Sequence, residues 1–259
     1  MAVQHKVVDE PSYILHRYDW SESSLVIDVF TRHQGRVALV AKGAKKPNSS
    51  FRSVLLPLQR LLLNFAGDTE VKTLKQAHWA GASPMPSGAA LLSGFYINEL
   101  IRAFLAKEDA NPLLFDVYAL TVGLIASQAK ENSEMALRAF ELVLLQQMGL
   151  LPSLKLEANS AVPVQNNGHY HLIANQGLIL VPADEQSLTG QVCLRLSGLL
   201  EQFQTHQFDE LLLGCGQALL PLKLQLRSLL HYHSACQSFK TRELMRQVQA
   251  LHQAVVQSS

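Results

Sequence analysis

The chain has 259 residues, 48% of them hydrophobic and 17% charged, with a formal net charge of only +1. This composition is rich enough to build a globular core and excludes wholesale disorder. A near-neutral total also excludes a polyanion-binding surface spread over the whole molecule, so any nucleic-acid signal has to be local. The opening "MAVQHKVVDEPSY" has no apolar leader core, and no stretch approaches the roughly 20 apolar residues of a membrane helix. A cytoplasmic protein with no membrane partner is expected.

"SYILHRYDW" predicts the first strand and "SESS" the turn after it. "SLVIDVFTR" alternates, with Leu25, Ile27 and Val29 on one face and Val26, Asp28 and Phe30 on the other. After the turn "HQG", "RVALVAKG" puts Val37, Leu39 and Ala41 on one face and Arg36, Ala38, Val40 and Lys42 on the opposite one. "SVLLPLQRLLLNF" and "TEVKTLKQAHW" read as two further strands, with Pro57 marking an edge or a bulge. Five short strands without a helix long enough for a βαβ crossover point to a small antiparallel barrel. The five-stranded OB-fold is the commonest of these, and it offers one face and two loops to oligonucleotides.

Between Thr31 and Gly67 there is no acidic residue, while Arg32, Arg36, Lys42, Lys45, Lys46, Arg52 and Arg60 are basic. Residues 1–80 hold eleven Lys/Arg against seven Asp/Glu, and the remainder eleven against fourteen. A basic module on an acidic helical body is a layout that binds anions. Lys45, Lys46 and Arg52 lie on a Gly-, Pro- and Ser-containing loop that can follow a flexible backbone, with Phe51 and Phe30 as candidate stacking rings.

Beyond residue 80 the pattern turns helical. Gly88–Asp109, "PLLFDVYALTVGLIASQ" with Pro112 at a first helical position, and "SEMALRAFELVLLQQMGL" ended by Gly149 give three helices. Residues 151–190 are Asn-, Pro- and Gly-rich, with two strand-like pieces around "NQG", and helices follow over roughly 191–205, 209–232 and 239–255. The expected class is α+β: an OB-fold barrel over 1–80, a helical domain over 81–150, an irregular or hairpin insert over 151–190, and C-terminal helices over 191–259 packing on 81–150.

No GxxxxGK[ST], GxSxG, HExxH or GxGxxG is present. Cys193, Cys215 and Cys236 are widely spaced, odd in number and without a CxxC pair, which argues against disulfides and a zinc module. The pairs His169/His171 and His231/His233 have no obvious third ligand nearby. No enzyme, cofactor or small-molecule substrate is expected; a hydrolase or transferase using the histidines is the remote alternative.

The run from Tyr13 to Ser50 resembles the N-terminal region of the RecO family of bacterial recombination mediators. The residues that carry the likeness are Glu22-Ser23-Ser24, Phe30-Thr31, Gly35 and Ala41-Lys42-Gly43-Ala44-Lys45. It continues through "EVKTLKQA", "SGFYINEL", "ALRAFELVLLQQMGL" and "FKTRELMRQ", five motifs in the same order over nearly the whole chain. The resemblance implies a non-enzymatic protein that binds single- and double-stranded DNA, anneals complementary strands, and helps RecA load onto strands coated with the single-strand binding protein SSB. RecR and the acidic, Phe-ended C-terminal tail of SSB are the implied protein partners, and the nucleoid the implied place of work during repair. DNA contacts are expected at Arg32, Arg36, Lys42, Lys45, Lys46, Arg52 and Arg242, with Arg227, Lys240 and Arg246 extending the path. The SSB tail is expected at Arg138 and Leu142. Many RecO proteins carry a four-cysteine zinc module where this chain has 151–190 without a cysteine, so the insert is expected to lack zinc ligands. The rival reading is a protein-interaction module whose barrel binds a protein and not DNA.

Overall fold

The structure, a computed structural model, describes residues 6–81, 84–127, 129–158, 160–234, 239–241 and 243–248. It groups into two compact units, residues 1–127 with 240–259, and residues 128–239.

In the first unit, β1 (Lys6–Asp19), β2 (Leu25–Thr31), β3 (Gly35–Ala41), β4 (Leu61–Ala66) and β5 (Val71–Trp79) close into a barrel in the order β1-β2-β3-β5-β4. Only β3 and β5 pair in parallel; β4 returns antiparallel to β1 and closes the ring. This is the OB-type barrel expected from the sequence. The alternation in β2 and β3 becomes burial: Ile27, Val29, Val37, Leu39 and Ala41 line the interior with Leu61, Leu63, Phe65 and Leu74. The β1–β2 register shifts between Ile14 and His16, a bulge that bends the long first strand.

The strand expected to run through Pro57 is different. The residues before it form one helical turn, α1 (Phe51–Val54), and β4 starts only at Leu61. Pro57 has no N–H to give to a ladder, and Leu58 takes a φ of 60°, so the chain bends there instead of running straight. The bend turns Leu55 into the barrel core, where Phe51 and Val54 pack beside it as a plug.

Two helices, α2 (Gly88–Phe104) and α3 (Pro112–Ala126), belong to the same unit. Asn111 caps α3 by accepting from the Leu114 N–H at 2.9 Å, with Pro112 in the first turn as expected. Tyr13 and Phe30 leave the outer surface of the barrel and meet Phe115 and Tyr118 of α3, with ring centroids 4.9–5.8 Å apart. The Tyr118 hydroxyl donates to Asn98 Oδ1 at 2.5 Å, and Asn98 Nδ2 donates to the Leu15 carbonyl at 3.2 Å, so the polar atoms under this cluster are paired. Gly35 takes a φ of +68°, and a Cβ there would stand 2.3 Å from the Asp109 carbonyl oxygen. Gly35→Ala is therefore expected to lower the melting temperature by several degrees, since left-handed backbone alone costs an alanine about 1–2 kcal/mol before the clash is relieved. A thermal melt followed by circular dichroism checks this; an unchanged midpoint would mean that the 107–109 segment yields freely.

The second unit holds α4 (Lys130–Gln147), the hairpin β6 (His169–Ile173) and β7 (Gly177–Val181), β8 (Leu188–Thr189), α5 (Gly190–Glu201), α6 (Phe208–Gly216) and α7 (Leu219–His233). Gly149, at φ 68°, ends α4 as predicted. The hairpin turns at Ala174-Asn175-Gln176, and β8 adds a third strand on the far edge of β6. Fully buried Tyr170 centres the insert, its hydroxyl accepting from the Gln165 N–H at 3.0 Å and donating to Glu157 Oε1 at 3.2 Å. The single helix expected over 209–232 is two, α6 and α7. Pro221 lies in the first turn of α7 and cannot donate to the carbonyl a turn earlier, which favours a break there and a new helix start.

The three helices expected over 81–150 thus divide: α2 and α3 group with the barrel, α4 with α5–α7. Residues 240–241 and 243–248 are helical and belong to the first unit, where the Glu99 carboxylate of α2 accepts from the N–H groups of Lys240 (2.8 Å) and Thr241 (3.1 Å).

Candidate nucleic-acid interface

Strand direction sorts the basic residues of the barrel onto two ends. One end carries the β2–β3 turn. The other collects the ends of β1, β3 and β5 and the starts of β2 and β4, because β5 runs parallel to β3 and the other pairs are antiparallel.

At the first end most of the cations are already engaged; Lys6, at the start of β1, is the exposed exception. Arg32 donates through Nε and Nη2 to both carboxylate oxygens of Asp116, each at 2.9 Å, which raises its pKa further. Arg36 Nη1 donates to the carbonyls of Arg102 (2.5 Å) and Leu105 (3.0 Å), and its Nε lies 3.3 Å from Asp28 Oδ1. Lys72 pairs with Glu108 and Lys107 with Glu70. A cleft of about 670 Å³ opens here, with Arg36, Lys72, Glu70, Asp68 and Glu108 in its wall. Its mixed charge gives a phosphate no net attraction.

At the other end the balance reverses. Lys42, Lys46, Arg52 and Arg60 are exposed, and none makes an ion pair among the described residues. Lys45 is the exception: its Nζ donates to the Ser21 carbonyl (2.9 Å) and lies 2.7 Å from Asp19 Oδ1, while its N–H donates to the Ser23 carbonyl (2.9 Å). It ties the 42–46 turn to the 20–24 turn rather than facing solvent. Arg17 donates from Nη1 to the Leu55 carbonyl at 3.0 Å. Six cations, Arg17, Lys42, Lys45, Lys46, Arg52 and Arg60, gather here with two carboxylates, Asp19 and Glu22.

Neither expected stacking ring offers a free face: Phe30 is fully buried in the cluster with Phe115 and Tyr118, and Phe51 packs on the barrel core. Other aromatic side chains are exposed, among them two tryptophans. Trp79 is 54% exposed at the end of β5, and Trp20 is 69% exposed just after β1. A signal for them was present in the sequence, since the only two tryptophans each end a predicted strand, "HRYDW" and "KQAHW".

Comparison with known proteins fixes the context of this geometry. The family model "Recombination protein O N terminal" matches residues 6–82, and "Recombination protein O C terminal" matches residues 85–210. A protein named DNA repair protein RecO from Polaromonas naphthalenivorans (strain CJ2) is 52% identical over 97% of this chain and 100% of its own length. Its namesake from Variovorax paradoxus (strain S110) is 48% identical over 97% and 100%. The chain belongs to the RecO family. RecO membership gives it a role in DNA repair and recombination.

In this RecO chain the two residues expected to meet the SSB tail lie inside the second unit. Arg138 is 5% exposed and Leu142 fully buried; Arg138 Nη1 is 2.9 Å from Glu141 Oε2, one turn along α4, and Glu141 is itself fully buried. Arg242 lies outside the described residues. Of the proposed C-terminal extension, Arg227 and Lys240 are exposed and Arg246 pairs with Glu243. Among the described residues no group of three His, Cys, Asp or Glu side chains is placed to hold a metal ion, and no helix is long and apolar enough to cross a membrane.

The sequence Gly214-Cys215-Gly216 has the small residues of a nucleophile turn but does not present a nucleophile. Burial pushes the thiols of Cys193 and Cys215 up to about 12, so at neutral pH both are protonated. Iodoacetamide at pH 8 is expected to leave both unmodified in the native protein and to label both after denaturation, read by peptide mass spectrometry. Native labelling of Cys215 would refute its burial.

Proposed function

We propose that this chain is a non-enzymatic mediator that binds single- and double-stranded DNA without sequence preference, anneals complementary strands, and with RecR assists RecA loading on SSB-coated strands in the cytoplasm. The observation that carries this reading is the cluster of exposed cations at one end of the barrel, Lys42, Lys46, Arg52 and Arg60, which make no ion pair among the described residues, with Arg17 beside them. Annealing requires two polyanions to approach. A basic surface lowers their repulsion, and contacts to phosphate carry no sequence information. The engaged partners of Arg32, Arg36 and Lys45 give those three the role of holding the surface rather than meeting the strand. An SSB-tail contact at Arg138 and Leu142 requires this part of α4 to open, because a Phe side chain and its terminal carboxylate need an accessible apolar pocket rimmed by a cation.

Fluorescence anisotropy with labelled, mixed-sequence single strands from 50 to 200 mM salt tests the reading. Affinity is expected to be the same across sequences, with a log–log slope of about −0.7 per phosphate contact, hence near −3 for four contacts. A flat salt response would leave the barrel as a protein-interaction module, and the DNA-binding reading would fail.

A further inference from the structure

We infer that Trp79 is a stacking site for an unpaired nucleobase, flanked by Arg17 and Arg52, and that it gives this barrel end a preference for single strands over duplex. The inference rests on the phosphate-binding reading above and adds the part of the ligand that carries no charge.

The site is built around the plug that closes the barrel. Trp79 pairs with Leu61 and Arg17 with Ile27, both inward-facing core residues, so Trp79 and Arg17 occupy inward register positions at the rim. There they meet consecutive carbonyls of the plug: the Trp79 indole N–H donates to Val54 O at 3.3 Å, and Arg17 Nη1 to Leu55 O at 3.0 Å. The indole is thus oriented through its one polar atom while more than half of its surface stays open to solvent. A tryptophan held only by packing would be expected to bury its ring; here the edge is fixed and the ring left accessible. Arg52, exposed and without an ion pair among the described residues, is on the same helical turn as Val54. Trp20, the most exposed large apolar side chain described, emerges at the same end of the barrel.

The surroundings choose the occupant. An uncharged apolar peptide gains nothing from six cations against two carboxylates, and an acidic peptide with one terminal aromatic side chain uses the ring site only once. A ligand with planar apolar faces joined to a chain of anions uses both features, and single-stranded nucleic acid is that ligand. Base stacking on an aromatic ring is sequence-tolerant because every base has a π-face, whereas bases inside a duplex already have both faces covered.

The test uses the full chain and three DNA probes: a mixed single strand, the same strand with its central bases replaced by abasic sites, and the duplex. Stacking on Trp79 predicts that Trp79→Ala weakens single-strand binding by roughly ten- to a hundredfold, that Trp79→Phe keeps most of the affinity, and that duplex affinity changes less than about twofold. The salt slope should not move, because stacking releases no counterions. For wild type, the abasic strand should bind more weakly than the normal one at equal charge, and where Trp79→Ala fails to fold the same comparison in Trp20→Ala, which should keep that difference, assigns the stacking to Trp79. Equal affinity of wild type for normal and abasic strands overturns the inference. A steep wild-type salt slope together with that equality refutes only the stacking, while a flat slope refutes the phosphate-binding reading itself.

Discussion

Arg138→Ala is expected to destabilise the second unit by about 3–5 kcal/mol, the cost of leaving one partner of a buried ion pair without the other. Both members of the pair are inside: the side chains of Arg138 and Glu141 are 7% and 0% exposed, and they approach within 2.9 Å. Cys215 reports on the same interior, since it is fully buried and the Arg138 and Glu141 charges both act on its thiol. The measurement is therefore local as well as global. Urea unfolding gives the free energy, and the rate of Cys215 alkylation under native conditions should rise by about a thousandfold if the loss is near 4 kcal/mol, at 1.4 kcal/mol per tenfold change. Replacing both members by apolar residues, Arg138→Met with Glu141→Leu, should recover much of the loss, because a packed apolar pair avoids the desolvation of two charges. A single variant that costs less than 1 kcal/mol would show that water reaches the pair. The result also governs how partner binding is read: weakened binding of an SSB tail by Arg138→Ala indicates a contact only if the fold survives the substitution.

The barrel was legible because β2 and β3 alternate cleanly and their apolar positions needed no long-range information. The inward set Ile27, Val29, Val37, Leu39 and Ala41 follows directly from a period of two. What the sequence obscured were events that depend on a neighbour distant in the chain. "SVLLPLQRLLLNF" has the composition of a strand, yet Phe51–Val54 winds into a turn because Leu55 fills the barrel end that the five strands leave open. The same limitation applied to charge. Arg32, Arg36 and Lys45 read as part of one basic run, but Asp116 lies 84 residues from Arg32, and the carbonyls that hold Arg36 lie 66 and 69 residues away. A run of like charge in sequence is divided in space by partners that the run does not contain. Trp79 shows the reverse case: its place at the end of a strand was legible, and the carbonyl of Val54 explains how its indole is held at the rim.

That division of charge yields the second large effect. The triple variant Lys42→Ala/Lys46→Ala/Arg52→Ala should weaken single-strand binding on the order of a hundredfold at 0.1 M salt and make the log–log slope shallower by about two. The magnitude follows from counterion release: at about 0.7 ions per contact, lowering salt from 1 M to 0.1 M strengthens binding roughly fivefold for each phosphate neutralised, and three contacts multiply. Position, not formal charge, sets the prediction. Arg32→Ala and Arg36→Ala remove as much charge each as Lys42→Ala, yet they should leave the slope nearly unchanged and lower the melting temperature instead, because they strip a carboxylate or backbone carbonyls of their donors. Lys45→Ala should fall between, since it loosens the clasp between the 20–24 and 42–46 turns and frees Asp19 to repel the strand. Anisotropy titrations of these variants across 50–200 mM salt separate the two groups. If Arg32→Ala flattens the slope as much as Lys42→Ala does, its pairing with Asp116 breaks when DNA arrives, and the interface extends over both ends of the barrel.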